Sequence, residues 1–371
     1  MAEVTTSGAL EERLAGAGAV FGEVAGRRVA RHYGDQAAEY GAVREAAGLV
    51  SRADLAHVRM WGKDPVRMLQ GLITNDLAGA GEGRGVYAAM LTPKGRVITE
   101  LRAFRRTTPA GTEVLLELPR EALAATAEQL KKFVPPLFAR WADASEEWGT
   151  LGVYGPRARA LASQVLGTEL PELAEDAFIE VAFADLPVLV IGTRYAGGED
   201  GYDLTAPAAA LPALWDALRE AGARPVGFGA LETLRIEAGR PRSGAELTEE
   251  VIATEAYEGA GLLERAVSFH KGCYTGQEVI VRIAHRGRVN RLLRGLLLGD
   301  EPTPAPGTPL FHPESGKEVG RTTSAALSPR FGQAIALAYV RREVEPAGRV
   351  RVGSADGVEA EVSALPFPAP A

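Results

Sequence analysis

A short apolar run, a glycine and a proline-opened helix occur twice along the chain. Residues 58–65 read VRMWGKDP, in which Asp64 is placed to cap a helix and Pro65 to begin it. Residues 151–156 read LGVYGP and precede a helix predicted through Leu166. The repeated pattern indicates two modules of similar design.

Three strand-like runs and one helix follow each copy, which gives the order strand, helix, three strands, helix in both halves. In the first half these elements are residues 86–91, 96–104, 113–118 and the helix 120–133; in the second they are 178–183, 187–193, 202–204 and the helix 208–221. Helices and hairpin-forming strands in this order predict an α+β protein with a duplicated module.

The pattern changes after about Arg288. A continuous apolar run at residues 292–298 is followed by short strands, among them 333–339 and 349–352, and by turns rich in glycine, proline and aspartate. This pattern is typical of a small all-β barrel. We therefore expect three domains: residues 1–145, whose N-terminal part can pack with the second module, residues 146–287 and residues 288–371.

Composition excludes several classes of protein. The chain has 371 residues, 46% hydrophobic and 24% charged, as in ordinary globular proteins. Its net charge of −7 argues against nucleic-acid binding driven by charge alone. No apolar run predicts a signal peptide or a membrane span, and a single cysteine fits a reducing compartment, so we expect a cytoplasmic protein.

The single cysteine, Cys273, lies in the run FHKGCYTGQE at residues 269–278. A lone thiol serves as a nucleophile, a soft metal ligand or a redox group, or simply as a buried structural residue. Glycines on both sides allow a sharp turn, and the charge of Lys271 together with His270 favours the thiolate. The polar surroundings favour the reactive thiol over the structural one.

Spacing excludes the common metal and nucleotide sites. His270 and Cys273 are too few ligands for zinc, and one cysteine cannot hold an iron-sulfur cluster unless another chain shares it. Neither a Gly-x-Ser-x-Gly elbow nor a Gly-Lys-Ser/Thr phosphate loop is present. We expect no resident metal.

The run KGCYTGQE, with Arg282 after it, resembles the signature of the YgfZ folate-binding family, which is related to the aminomethyltransferase (T-protein) of the glycine cleavage system. The resemblance covers nearly the whole chain. It implies a T-protein-like fold of two α+β domains and a C-terminal barrel around a central channel. It also implies tetrahydrofolate or a one-carbon derivative as the cofactor.

Two further segments carry this resemblance. The run GEDGYD around Glu199, otherwise a hairpin turn with two solvated acids, is similar to a folate-family run whose first glutamate binds the pterin ring through paired hydrogen bonds. Arg235 lies beside an apolar stripe of the helix at residues 227–239, where it could form a salt bridge to Glu232 or Glu237. The matching T-protein run places its arginine in the folate site, so the resemblance makes Arg235 a second anchor.

A third segment, residues 85–100, resembles a T-protein hairpin whose second strand carries an Asp-Asp pair that serves aminomethyl transfer. This chain has Thr99 and Glu100 there, and the longer glutamate displaces the carboxylate, which argues against that activity. Tyr87 is a candidate to line the folate channel, or is a plain strand aromatic.

Two functions follow from the resemblance. The first is a folate-binding protein that supports the assembly or repair of iron-sulfur clusters in client enzymes, including tRNA-modifying ones, with Cys273 as the reactive group and Lys271 as its electrostatic neighbour. The second is a folate-dependent aminomethyl or one-carbon transferase. The basic residues that follow the cysteine run form a solvated face, or they contact a polyglutamate folate tail or an acidic partner: Arg282, His285, Arg286, Arg288, Arg291 and Arg294.

Overall fold

A computed structural model describes residues 6–196 and 201–369 of the chain. These residues form two compact units, each assembled from several stretches of sequence. The first unit comprises residues up to 69, 77–87 and 101–231, and the second comprises residues 70–76, 88–100 and 232 onwards.

The first five elements of the chain are α1 (Thr6–Gly16), the hairpin strands β1 (Val20–Val24) and β2 (Arg27–His32), α2 (Gln36–Glu45) and β3 (Gly48–Ser51). The sequence pattern did not predict α1, α2 or the hairpin. Asp35 caps α2 by accepting hydrogen bonds from the backbone N–H groups of Ala37 and Ala38, both at 3.0 Å.

The first predicted module is present as β4 (Leu55–Trp61), α3 (Pro65–Gln70), β5 (Val86–Leu91), β6 (Val97–Thr108), β7 (Gly111–Pro119), α4 (Leu123–Phe133) and β8 (Arg140–Asp143). Its strands form a sheet in the order β5-β6-β7-β4-β8. The predicted cap of α3 is confirmed, because the backbone N–H of Arg67 donates to Oδ1 of Asp64 at 3.2 Å.

The second module repeats the order with β9 (Trp148–Tyr154), α5 (Ala158–Leu166), β10 (Phe178–Phe183), β11 (Leu186–Thr193), β12 (Gly201–Pro207) and α6 (Leu211–Glu220). Its sheet has the order β10-β11-β12-β9-β3-β13, where β13 is Arg224–Pro225. The four strands β10-β11-β12-β9 correspond to β5-β6-β7-β4, which supports the predicted duplication. Leu214 and Trp215 of α6 are fully buried in the core of this sheet.

The helices that follow are α7 (Phe228–Glu237), α8 (Ala253–Gly259), α9 (Leu263–Ala266) and α10 (Gln277–Arg286). The final six strands are β14 (Arg291–Leu297), β15 (Pro309–Phe311), β16 (Glu318–Ser328), β17 (Gln333–Arg341), β18 (Arg349–Val352) and β19 (Val358–Ser363). They close into a barrel in the order β14-β17-β16-β15-β18-β19, and its apolar interior includes Leu296, Leu310 and Val350. The predicted α+β class and C-terminal barrel are thus confirmed.

No helix among the described residues is long and apolar enough to cross a membrane.

Candidate functional site

Lys271 binds a segment of the second unit through three backbone carbonyls. Its Nζ atom donates to the carbonyl oxygens of Gln70 at 2.6 Å, Ile73 at 2.7 Å and Asn75 at 2.9 Å. An ammonium group has three N–H donors, so all of them are in use. Burial lowers the pKa of Lys271 to about 8, while the charge of Asp76 opposes the shift. Lys271 therefore holds the segment at residues 70–75 in place.

Side chains of the same segment complete its attachment. Thr74 donates through Oγ1 to the carbonyl of Ala266 at 2.6 Å and accepts from the backbone N–H of Ala89 at 2.8 Å. Asn75 donates through Nδ2 to the carbonyl of Arg265 at 2.7 Å. These bonds give Thr74 and Asn75 a structural role in the second unit.

Cys273 is exposed, which excludes the structural alternative of a buried cysteine. Its neighbour Tyr274 is only 6% exposed, and the Nζ atom of Lys271 lies 5.1 Å from the centre of its ring. Gly276 has φ +83°, and a Cβ there would lie 2.7 Å from the carbonyl oxygen of Thr92. The backbone on both sides of the thiol is thus held firmly while the thiol faces solvent.

The predicted electrostatic link between Lys271 and Cys273 stays a prediction. The ammonium of Lys271 is directed to the carbonyls of residues 70–75. The geometry therefore connects this lysine to the thiol through the backbone that joins the two residues.

The basic residues after the cysteine run lie on and beyond α10. Arg282, His285, Arg286 and Arg288 are exposed, and the ring of His285 packs edge-on against Phe269 with centres 6.2 Å apart. Ile280 on the opposite side of α10 is fully buried. The helix therefore presents a basic face to solvent.

Arg235 is fully buried in the second unit, with its guanidinium surrounded by protein acceptors. Nε and Nη2 both donate to Glu232, Nε at 3.1 Å, and Nη2 also donates to Ser324 at 2.9 Å. Nη1 donates to the carbonyl of Arg240 at 2.6 Å and to Glu246 at 3.0 Å. These five bonds use all five N–H groups of the side chain. The salt bridge to Glu232 is one of the alternatives that the sequence left open.

Glu246, to which the sequence assigned no chemistry, is the central acceptor of this cluster. The carboxylate is fully buried and accepts from Thr323 Oγ1 at 2.7 Å, Ser324 Oγ at 2.6 Å and the backbone N–H of Arg242 at 3.1 Å. The spacing of glutamates after α7 carried no signal for this role, because the partners come from β16, far along the chain.

Thr99 and Glu100 lie side by side on β6 within the second unit. Thr99 is fully buried and donates to the carbonyl of Glu100 at 2.6 Å. Glu100 accepts through Oε1 from the backbone N–H of Ser243 at 3.1 Å. The Glu100 carboxylate is therefore oriented by a backbone donor.

The remaining predicted folate residues are Tyr87 and Glu199. Tyr87 lies on β5 and is 8% exposed. Glu199 lies outside the described residues, in the connection between β11 and β12, which pair antiparallel up to Thr193 and Gly201. The structure therefore gives no geometry for the pterin contact predicted for Glu199.

Sequence reasoning missed a buried polar network in the first unit. His57 contacts Thr150 through Nε2 at 3.1 Å, and Thr150 donates to Glu117 at 2.9 Å. Arg102 bonds both Glu117 and Asp203. Burial alone would raise the pKa of Glu117, but the Arg102 charge and the His57 contact outweigh it and hold that pKa well below its usual range.

The network continues through Tyr154, whose hydroxyl donates to Asp203 at 2.6 Å and accepts from Arg52 at 3.1 Å. Arg52 forms a bidentate pair with Asp54 at 2.9 and 3.0 Å, and the Tyr195 ring lies against its other side, with the guanidinium 4.7 Å from the ring centre. The sequence signal that could have predicted this network is a charged residue inside an apolar strand, such as Asp203 between Tyr202 and Leu204.

Among the residues that the structure describes, no group of three or more His, Cys, Asp or Glu side chains could hold a metal ion.

Comparison with known proteins accounts for almost the entire chain. The family described as "GCVT N-terminal domain" matches residues 10–271, and the one described as "Glycine cleavage T-protein C-terminal barrel domain" matches residues 291–368. Aminomethyltransferase of Rubrobacter xylanophilus is 33% identical over 96% of this chain and 92% of its own length. Aminomethyltransferase of Moorella thermoacetica is 32% identical over 95% and 94%.

A solved structure shows the same fold. The glycine cleavage system aminomethyltransferase T from Bartonella henselae superposes with a TM-score of 0.84 over 97% of both chains, at 23% sequence identity. Two α+β modules followed by a closed six-stranded barrel thus define a protein with the T-protein fold. The chain belongs to the glycine cleavage T-protein family.

Proposed function

We propose that this protein binds tetrahydrofolate or a one-carbon derivative of it and uses it to transfer an aminomethyl-type one-carbon group. The observation that carries the proposal is the match, over nearly the full length, to relatives named aminomethyltransferase. In this proposal the Glu199 carboxylate binds the amino-pyrimidinone edge of the pterin through paired hydrogen bonds, and Tyr87 contributes an apolar wall.

Arg235 has a different part in this proposal from that of Glu199. Its five donors are all occupied by protein acceptors, so a direct contact to a folate carboxylate requires one of those acceptors to be displaced. The direct contact stays a prediction, and the observed geometry favours a positioning role in which Arg235 joins the end of α7 to β16 and to Glu246.

Glu100 is the candidate acid or base. Its carboxylate is oriented by the Ser243 N–H and stands where the T-protein resemblance places an aspartate. A carboxylate in that position can accept or return a proton at the reacting nitrogen, provided that it lies within hydrogen-bond reach.

A second candidate function is favoured by the exposed thiol of Cys273 on a firmly held backbone. In this alternative the protein is YgfZ-like, binds folate as a sensor, and supports iron-sulfur clusters in client enzymes, some of which modify tRNA. The substitution of Thr99 and Glu100 for an Asp-Asp pair also favours it. The cytoplasmic location, the iron-sulfur partners and the three-domain boundaries stay predictions.

Calorimetric titration of tetrahydrofolate tests the shared part of both candidates. The parent and a Glu172→Gln control, which changes an exposed acid, should bind equally, and Glu199→Gln should bind at least tenfold more weakly. If the parent does not bind, the folate proposal is wrong for both candidates.

An aminomethyl-transfer assay separates the two candidates. Activity in the parent that is retained by Glu100→Asp and lost in Glu100→Gln would support the transferase. Two results together would support the iron-sulfur alternative. The parent and both Glu100 variants would show only background transfer activity, and cells that carry Cys273→Ser instead of the parent would lose the activity of cluster enzymes.

A further inference from the structure

A small cavity in the first unit is lined by an unusual number of arginines. It has a volume of about 60 Å³, room for roughly four to six water-sized groups. Its polar lining consists of four arginines, two glutamates and three hydroxyl residues: Arg27, Arg28, Arg52, Arg120, Glu11, Glu146, Ser51, Ser145 and Thr150. Apolar side chains from α1 and α6, among them Leu14 and Leu211, complete the wall.

Three of the four arginines have carboxylate partners. Arg27 lies 2.9 Å from Glu146, Arg28 lies 3.2 Å from Glu11, and Arg52 is paired with Asp54. Each of these three arginines is balanced by one carboxylate, so Arg120 is the lining arginine whose charge is left without an ion pair in the part of the chain that the structure describes.

Arg120 is the exception. Its Nε donates to the carbonyl of Ala53 at 3.2 Å and its Nη2 to the carbonyl of Leu55 at 2.9 Å. Within residues 6–196 and 201–369 it forms no ion pair. A guanidinium has five N–H donors, of which these two bonds use two, so the side chain is fixed in place with donors to spare.

The surroundings of Arg120 are unfavourable for its own charge. Burial lowers the pKa of Arg120, and the positive charge of Arg27 lowers it further, while the nearby carboxylates of Glu146, Asp143 and Asp54 oppose the shift. Glu146 pairs with Arg27 and offsets part of the repulsion between the two guanidinium groups. Among the described residues Arg120 has no carboxylate partner of its own, and the carbonyls of Ala53 and Leu55 keep it at the cavity.

We propose that this cavity is a binding site for a small oxyanion, a phosphate or carboxylate group, held between Arg120 and Arg27. The planar guanidinium binds two oxygens of such a group at once, and the cavity matches a single group of this size. The hydroxyl of Ser51 lines the same cavity and supplies a further donor. None of the residues that line this cavity is among the folate residues proposed above, and the proposal does not depend on them.

Calorimetric titration with inorganic phosphate and with acetate, in chloride buffer at constant ionic strength, tests the site. The parent should bind one of the two anions saturably at one site per chain. The anion that binds more tightly shows whether the natural ligand carries a phosphate or a carboxylate group. Arg120→Gln and Arg27→Gln should each weaken binding at least tenfold, which is about 1.4 kcal/mol. Arg159→Gln removes an exposed charge of the same unit and should bind as the parent does.

Circular dichroism melting shows whether each variant is folded, and Arg27→Gln keeps the test decisive if Arg120→Gln does not fold. Absence of saturable binding of both anions to the parent through the millimolar range would overturn the proposal. So would unchanged binding in a folded Arg120→Gln and in Arg27→Gln.

Discussion

The Nη1 atom of Arg235 lies 3.0 Å from Oε2 of Glu246, and neither side chain is exposed to solvent. A buried pair of this kind depends on both members, since removal of one leaves the other as an uncompensated charge in the interior. This pair joins α7 to the polypeptide that follows it, and Ser324 joins both members to the barrel.

Glu246→Ala should therefore lower the free energy of unfolding by about 3–5 kcal/mol. Thermal unfolding followed by circular dichroism measures the change. The matched control is Glu343→Ala, whose partner Arg341 is 3.8 Å away and exposed, and whose effect should stay within about 1 kcal/mol. Equal melting temperatures for Glu246→Ala and Glu343→Ala would show that the buried pair is dispensable.

Lys271 should make stability depend on pH in the alkaline range. Its pKa is lowered from 10.5 to about 8 in the folded protein, so the unfolded chain binds more protons between these two values. The free energy of unfolding should then rise with pH from about 8 to 10.5 relative to a Lys271→Met variant, which has no titrating group there. Chemical unfolding of both proteins across this range measures the difference. A constant difference would contradict a lowered pKa for this lysine.

Cys273 should react with a thiol reagent in the folded protein, with one label per chain, because the thiol is exposed and no other cysteine is present. Mass spectrometry before and after denaturation measures the stoichiometry, and Cys273→Ser is the unlabelled control. That variant should change the free energy of unfolding by less than about 0.5 kcal/mol. Labelling that requires denaturant would refute the exposed position.

Gly276 and Gly272 flank the thiol and should tolerate substitution differently. Gly276→Ala puts a Cβ at φ +83° and 2.7 Å from the Thr92 carbonyl oxygen, and should cost at least about 1–2 kcal/mol. Gly272 has open space within 4 Å of its Cβ position and no strained φ, so Gly272→Ala should change stability by less than about 0.5 kcal/mol. The two melting temperatures compare them directly, and equal destabilisation would show that the backbone near Gly276 relaxes.

Much of the element order could be predicted from local pattern. The strands and helices of both modules lie within a few residues of their predicted positions, and Asp64 caps α3 as its place before Pro65 indicated. Signals of this kind act between residues close in sequence, so the sequence carries them directly.

Helix α10 shows where residue propensity alone misleads. Val279, Ile280, Val281 and Ile283 are β-branched and favour a strand on propensity alone. The segment is nevertheless a helix, which begins at left-handed Gly276 and buries Ile280 completely. Packing of one helix face therefore outweighs the strand propensity of these residues, which is worth only a fraction of a kcal/mol per residue.

The sequence by itself determined the α+β modules, the barrel and the exclusion of a disulfide framework. Only the tertiary structure decided what the charged residues do. Lys271 binds carbonyls about two hundred positions away in sequence, Glu246 collects donors from β16, and Arg120 is held beside Arg27 by the carbonyls of Ala53 and Leu55. Hydrogen bonds and ion pairs between distant residues depend on how the backbone folds back on itself, and no local pattern records that.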